Sequence, residues 1–406
     1  MHYDGMAKEV YAMKKPRMLA LAAVCLAFGI HAGIAGAQEA RDITEQCKVS
    51  VKVSASTAER MLDGKYKTWY ASGSGLSSAI GVILPADEEA GGLYVKWADQ
   101  TPAVRVQVMG DEGYETVATC DTPYLCDYIP LPGGVTAFRL LLEEKVPGRM
   151  YIAELRVFSR GEPPAYVQRW SDPLEKADLL IISTHPDDEF VFLGGTIPYY
   201  AGELGKAVQV AYAVPSTPNR KLELLDGLWH CGVRNYPVLG TFPDRYSTKM
   251  AEIQNAWGKT KLDNFVVQLY RQFRPDVVVT QDLMGEYGHG AHKTVADAAA
   301  RCVALAADGS FQRRGLERQE PWQVQKLYLH LYPENAIRMD WRKPLVAFGG
   351  RTAFDMACGA FLLHVSQQKG QYAVEDFGRY DNALFGLYHS TVGPDVERDD
   401  FFEHIE

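Results

Sequence analysis

The chain has 406 residues, 47% of them hydrophobic and 23% charged, with 36 Gly, 21 Pro and 7 Cys. These proportions exclude a collagen, a disordered tail and a disulfide-knotted miniprotein, and the length predicts two or three domains, each able to bury a core. Lys and Arg total 42 against 51 Asp and Glu, a formal net charge of −9, and no basic block follows the first twenty residues, which argues against a nucleic-acid partner whose phosphates need a basic face.

In chain order, residues 1–37 read as a secretory signal peptide. Lys14, Lys15 and Arg17 form a short basic region, Met18 to Ile34 is almost wholly apolar, and Ala35-Gly36-Ala37 is an A-x-A site. The alternative is an N-terminal membrane anchor: the apolar run is near the minimum spanning length of about 17 residues, but the A-x-A site follows it directly. Val24 before Cys25 is a poor lipoprotein match. No later apolar run approaches spanning length, so the expected mature chain is exported, periplasmic or extracellular, with no transmembrane span. Export would permit oxidation of the remaining cysteines, and Cys120 with Cys126 enclose a loop short enough for a disulfide to staple. None has C-x-x-C spacing, so buried or structural cysteine is the expectation.

Residues 38–160 are strand-like. LYVKWA (93–98), VRVQVMG (104–110), FRLLLEE (138–144) and YIAELRVFS (151–159) are separated by Gly, Pro, Asp and Thr clusters, a pattern that predicts an all-β sandwich. Residues 161–174, with three Pro and no periodicity, read as a linker. From 175 to 406 strands and helices alternate: ADLLIIST (177–184), a helix-length segment to about Gly205, AVQVAYAV (207–214), a helix near 219–231, a short PVLG strand, a long helix around 250–273, DVVVTQ (276–281), a helix at 291–307 and KLYLHLY (326–332). That alternation predicts an α/β domain with a mainly parallel sheet and helices on both faces. The acidic end, Asp395 to Glu406, reads as a solvated tail.

Two segments fall just beyond strand ends, where a doubly wound sheet places its ligands: His185-Pro186-Asp187-Asp188-Glu189, and Gly285 to His292, which reads GEYGHGAH. Two His and one carboxylate suffice for a catalytic zinc that keeps a position open for water. His185 and Asp188 supply one imidazole and one oxygen across a tight turn, and His292 supplies the second imidazole. The same donor set also accepts iron, cobalt or nickel. Asp187 is then left over as the general base, and His289, three residues before His292, is placed to protonate a leaving amine or stabilise an oxyanion. Each segment read alone is also compatible with an ordinary turn or helix start; the pair of them carries the reading.

HPDDEFVFLGGT (185–196) and YGHGAH (287–292) resemble the zinc-dependent de-N-acetylases related to N-acetylglucosaminyl-phosphatidylinositol deacetylase, the PIG-L or LmbE-like family, over roughly 175–400. The resemblance implies a Rossmann-like fold and hydrolysis of an acetamido group on a sugar, with His185, Asp188 and His292 as zinc ligands, Asp187 as base and His289 as acid or oxyanion partner. It further implies that Tyr287 polarises the scissile carbonyl, that Asp244 in FPD (242–244) meets sugar hydroxyls, and that Arg220 in R-x-x-E with Glu223 lies near substrate. The usual second motif reads GHPDH; here Gly290 and Ala291 replace Pro and Asp, which keeps the ligand spacing and removes an Asp that could orient a histidine.

The N-terminal region more loosely resembles discoidin or galactose-binding-like modules through Leu62-Asp63-Gly64, Thr68-Trp69 and Ile152 to Phe158. That resemblance implies possible glycan binding, with Tyr66, Trp69 and Trp97 either stacking on sugar or filling the core. His364 to Gln367 and Tyr388-His389-Ser390 read as core polar groups or as the mouth of the cleft. The expected function is removal of the N-acetyl group from an N-acetylated amino sugar or glycoconjugate, releasing acetate and a free amine. The alternatives are a zinc amidase on a non-sugar N-acyl or thiol-conjugate substrate, and a glycan-binding protein with an inactive hydrolase domain.

Overall fold

The computed structural model describes residues 38–143, 147–313, 315–316, 319–370, 372–397 and 399–405; residues 1–37, expected to be a signal peptide, lie outside them. The chain divides into two compact units, Met1–Trp170 and Ser171–Glu406.

In the first unit the regular elements of the described residues are strands and short 3₁₀ turns: β1 (Lys48–Val51), β2 (Tyr70–Ala71), β3 (Ile80–Ile83), β4 (Ala90–Trp97), β5 (Val104–Gly110), β6 (Gly113–Cys120), β7 (Cys126–Pro130), β8 (Ala137–Leu142) and β9 (Tyr151–Ser159). They form two antiparallel sheets, ordered β1-β3-β8-β5-β6 and β2-β9-β4-β7. Ile80, Val82, Val106, Leu140 and Leu142 recur at strand period on buried positions of the first, and Leu93, Val95, Leu155 and Val157 on those of the second. No disulfide links Cys120 to Cys126: Cys120 closes β6 in one sheet, Cys126 opens β7 in the other, and both are buried thiols. Trp97 is a core residue, its indole N–H donating to Asp127 Oδ2 at 2.6 Å, whereas Trp69 is exposed.

The second unit is the α/β domain that the alternation predicts. Its strands are β10 (Leu179–Ser183), β11 (Val208–Tyr212), β12 (Val238–Leu239), β13 (Val277–Thr280), β14 (Lys326–His330), β15 (Ala336–Arg338) and β16 (Leu384–Ser390), in the order β12-β11-β10-β13-β14-β16-β15. The first five run parallel, and β16 and β15 add an antiparallel edge. β10, β11, β13 and β14 are buried along their whole length, as continuous apolar runs of a sheet covered on both faces require. The helices are α1 (Asp188–Val191), α2 (Pro218–His230), α3 (Met250–Trp257), α4 (Lys259–Phe273), α5 (Gly290–Ala307) and α6 (Ala353–Leu363). Ile253, Trp257, Val266, Tyr270, Val295 and Cys302 from α3, α4 and α5 form one core cluster with Leu180, Ile182, Val278 and Leu327 of the sheet. The long helix expected at 250–273 is broken at Gly258, whose φ of 80° and ψ of 110° are non-helical.

Strand order reverses between β10 and β13: β11 and β12 lie to one side of β10, β13 and β14 to the other. The carboxyl ends of these two neighbours are therefore a topological switch point, where a crevice opens. Both segments singled out in the sequence start there.

The acidic C-terminus is not a solvated tail. Asp395 is buried against Lys326 and Tyr328, and Phe401 is fully buried, stacked on Tyr200 at 5.4 Å between ring centroids. Lys326 has no solvent of its own, so the carboxylate must come to it. Phe401→Ala is expected to cost about 3–5 kcal/mol, read as a lowered Tm in thermal unfolding; an unchanged Tm would mean that the end does not pack.

Candidate metal centre

The centre is assembled by an amide. Gln281, just past β13, accepts at Oε1 from the Thr184 backbone N–H at 2.9 Å and from the Thr184 hydroxyl, pinning the end of β10 to the end of β13. From Thr184 the chain turns at once. The His185 N–H donates to Asp188 Oδ2 at 2.8 Å, and the Ser183 hydroxyl donates to the His185 carbonyl at 2.9 Å. Asp187 sits at φ 106°, a conformation strained for a residue with a Cβ. Its N–H donates to Glu189 Oε2 at 2.8 Å, and Glu189 is itself fully buried and accepts from the Tyr212 hydroxyl at 2.7 Å.

On the other strand end, His289 is the N-cap of α5, its Nδ1 accepting from the Ala291 N–H at 3.1 Å. The departures from the GHPDH pattern have a steric reason here. The Gly290 N–H donates to the Ser247 carbonyl at 2.6 Å, which proline cannot do, and a Cβ at Gly290 would fall 2.6 Å from that same oxygen. Ala291 is buried in the domain core. Glu286 Oε2 lies 2.7 Å from His292 Nδ1 and fixes the orientation of that ring.

Three donors converge. His185 Nδ1 is 3.1 Å from Asp188 Oδ2, His292 Nε2 is 3.3 Å from Asp188 Oδ2, and His292 Nε2 is 3.3 Å from His185 Nδ1. Tetrahedral ligands on bonds of about 2.0–2.1 Å stand about 3.3–3.4 Å apart, so the triangle fits a zinc-sized cation; among the described residues it is the His/Cys/Asp/Glu group close enough to hold a metal. Its charges fit as well. Burial alone would lower His292, but the Asp188 and Glu286 carboxylates overcome it and raise the imidazole to about 10. Burial would raise Asp188, yet His292 and His185 hold it well below the carboxylate range. The triangle thus retains a proton that a divalent cation would replace.

Around the triangle, Asp187 is raised to about 8 by burial and the Asp188 charge, against the pull of Arg220. Arg220 Nη2 is 2.7 Å from Asp187 Oδ1 and also donates to the Pro186 carbonyl, holding the turn, while Nη1 lies 3.9 Å from Asp244 Oδ2. Burial, followed by the neighbouring His292 and His185, lowers His289 to about 3, leaving it a neutral imidazole. With Nδ1 engaged by the Ala291 N–H, its proton sits on Nε2. The Tyr287 ring meets His289 and His292 edge-on at 5.4 and 5.3 Å, and burial raises its hydroxyl, which stays protonated. Asp244 is at the exposed rim, 3.8 Å from His185 Nε2, accepting from the Ser216 hydroxyl at 3.1 Å. Beside Tyr287 a cavity of about 320 Å³ is lined by Val191, Phe192, Tyr287, Tyr372, Ala373, Glu375 and Tyr380, with Tyr287 and Tyr372 stacked at 4.5 Å.

All eight residues expected from the sequence lie in this region. Two that sequence reading missed are Glu286 and His330, the latter with Nδ1 2.7 Å from Glu286 Oε1. Glu286 directly precedes the Tyr-Gly-His run, so its position was a signal; His330 is inside a strand and carried none. His364 is fully buried 3.7 Å from Glu189 and is not at the mouth of a cleft.

Because the cation must displace the proton on His292 and would also draw the raised Asp187 carboxyl down, zinc affinity is expected to rise up to about a hundredfold per pH unit below about pH 8 and about tenfold per unit just above it, with one to two protons released per metal. Calorimetric titration in buffers of different ionisation enthalpy checks this, and pH-independent uptake without proton release would contradict it. Gly290→Pro, which loses the Ser247 hydrogen bond and adds a clash, is expected to destabilise the chain by about 1–3 kcal/mol, read as a lowered Tm.

Comparison with known proteins points the same way. The family profile described as GlcNAc-PI de-N-acetylase matches residues 180–303. A 1D-myo-inositol 2-acetamido-2-deoxy-alpha-D-glucopyranoside deacetylase of Streptomyces avermitilis is 33% identical over 201 residues, covering 42% of this chain and 67% of the relative. The protein of the same description from Streptomyces scabiei is 30% identical over 205 residues, 43% of this chain; the chain spans 62% of that relative's length. Among solved structures, N,N'-diacetylchitobiose deacetylase from Pyrococcus horikoshii aligns with 49% of this chain and 74% of its own, at 17% identity and a TM-score of 0.36. With both histidine motifs matched to its two strand ends, the chain belongs to the GlcNAc-PI de-N-acetylase, or PIG-L, family.

Proposed function

We propose that the chain is an exported, zinc-dependent hydrolase that removes the N-acetyl group from an N-acetylated amino sugar or glycoconjugate. The observation that carries the reading is the buried His185–Asp188–His292 triangle with a second carboxylate, Asp187, beside it and not part of it. His185, Asp188 and His292 would hold the cation. When bound, it supplies Lewis acidity, lowering the pKa of water and polarising an acyl oxygen.

The remaining work falls to side chains. Asp187 takes a proton from water and returns it to the departing nitrogen. Its pKa of about 8 would fall beside a bound cation, leaving the base ionised at neutral pH. Arg220 keeps the Asp187 carboxylate aimed and secures the strained turn through the Pro186 carbonyl. His289, neutral with its proton on Nε2, donates to the acyl oxygen as negative charge builds there, and the Tyr287 hydroxyl acts from the same side. Asp244 at the rim accepts from sugar hydroxyls, and the aromatic walls of the neighbouring cavity offer faces for a sugar ring.

The remainder of the chain extends the reading. Two antiparallel sheets support a galactose-binding-like sandwich in residues 38–160, with exposed Trp69 as its stacking residue and Trp97 reserved to its core. The basic, apolar and A-x-A order of residues 1–37 supports export. No helix among the described residues is long and apolar enough to cross a membrane.

The test is acetate release from a panel of N-acetylhexosamine oligosaccharides, with and without chelator. Asp187→Asn is expected to retain one metal per chain while losing about 10²–10⁴-fold in kcat, and His292→Ala to lose the metal itself. Full activity in Asp187→Asn would remove the assignment of the base. Stoichiometric metal with hydrolysis only of non-sugar amides would transfer the function to an amidase of another class.

A further inference from the structure

The cavity beside Tyr287 and the metal triangle share that ring as a wall and are otherwise lined by different residues. Phe192 is the cavity floor, its ring 6.1, 6.1 and 6.0 Å from those of Tyr287, Tyr372 and Tyr380 and 5.8 Å from His292. Tyr372 prolongs the Tyr287 wall outward, stacked on it at 4.5 Å and 25°. Glu375 adds a carboxylate that has no hydrogen-bond or ion-pair partner among the described residues. His185, Asp187, His289 and Asp244 do not border the cavity. The groups placed to act on an acetamide and on the ring that bears it therefore leave this space empty. Its outer wall is held in place before anything binds. Val374 is buried, the Glu375 carbonyl accepts from the Asn382 N–H at 3.0 Å, and the Asp376 carboxylate accepts from Arg342 Nε and Nη2 at 2.6 and 2.8 Å. The Asp376 carbonyl also accepts from Arg338 Nη2 at 2.6 Å.

The cavity volume of about 320 Å³ stands at the lower end of small-molecule sites, which run from about 300 to 1,000 Å³, and admits one ring with its substituents. A pyranose matches the lining: its C–H bonds meet the electron-rich faces of aromatic rings, and its hydroxyls donate to a carboxylate that lacks a partner. We propose that the cavity holds the sugar ring next to the one that carries the reacting acetamide, with Tyr372 and Glu375 as specificity-determining residues. The substrate class is then an N-acetylhexosamine joined to a further sugar, in preference to a free monosaccharide or an acyclic N-acyl amine. Contacts to that second ring lie away from the bond that breaks, and they position the acetamide as well as bind it.

This inference rests on the reading of the chain as an amino-sugar de-N-acetylase, and the experiment separates the two. Acetate release by the full chain is measured from N-acetylglucosamine and from its β-1,4-linked disaccharide, and the ratio of the two kcat/KM values is the readout. Wild type is expected to favour the disaccharide about 10–100-fold, Tyr372→Ala to lower that ratio about tenfold, and Glu375→Ala to lower it about 3–10-fold. Binding to the metal-loaded Asp187→Asn chain, followed by calorimetry, is expected to show the same preference for the disaccharide without turnover. Equal kcat/KM for both sugars in wild type, or an undiminished ratio in a folded Tyr372→Ala variant, would overturn the proposal. Should Tyr372→Ala not fold, the exposed Glu375 position and the wild-type ratio still decide it. Hydrolysis of other amides with no release from either sugar would instead overturn the amino-sugar reading itself.

Discussion

The Thr184–Gln281 contact is the constraint on which the site depends. It joins positions 97 residues apart, at the ends of the two central strands where the sheet reverses its order of growth. Parallel pairing places those ends side by side but leaves free how the chain departs from each. An amide oxygen that takes both the backbone N–H and the hydroxyl of Thr184 removes that freedom. The HPDDE turn then leaves in one direction, the helix beginning at Gly290 approaches from the other, and His185 and His292 meet.

Around that meeting point, polar groups that would be costly to bury alone are buried in matched sets. Asp188 lies between two imidazoles, Asp187 faces Arg220, Glu286 lies between His292 and His330, and Glu189 takes the Tyr212 hydroxyl and the strained Asp187 N–H. Each acidic group thus has a partner suited to a different state. Asp188 and Glu286 are kept ionised, Glu189 is pushed up to about 8 by burial, and Asp187 is left where an added cation decides its charge. Four carboxyl groups within eight residues of a histidine ligand acquire separate duties because their surroundings differ.

Much of this was legible in the residues themselves. The triangle, the leftover Asp187 and the histidine beside it follow from residue type and strand-end position, because a metal site advertises itself through donor spacing. Strand-period runs such as VRVQVMG and continuous apolar runs such as ADLLIIST likewise announced an antiparallel and a parallel sheet, the latter because burial on both faces leaves no polar alternation. What escaped was whatever depends on contacts distant in sequence. His330 reads as one polar residue in KLYLHLY, and only the pairing of β13 with β14 brings it under Glu286. The break at Gly258 is one residue in an otherwise helical stretch. The acidic C-terminus looked solvated because its charge was visible and its partner, buried Lys326, was about seventy residues away. Arg220, expected near substrate, has a second partner that its position in the sequence did not announce: the Asp187 carboxylate.

The bond between the Gly290 N–H and the Ser247 carbonyl, together with Lys293 Nζ on the Thr248 carbonyl, couples two parts of the molecule that would ordinarily diversify separately. On the proposed function, the segment bearing Asp244 and exposed Tyr246 is the natural place to alter substrate preference, since loops accept change where helices do not. Here it is moored to the first turn of the helix that carries His292. Replacing that loop wholesale would therefore disturb the footing of His292 as well as the face shown to a substrate. A route to new specificity that spares the metal runs through the opposite wall, along Tyr372, Glu375 and Tyr380, none of which shares a backbone hydrogen bond with α5.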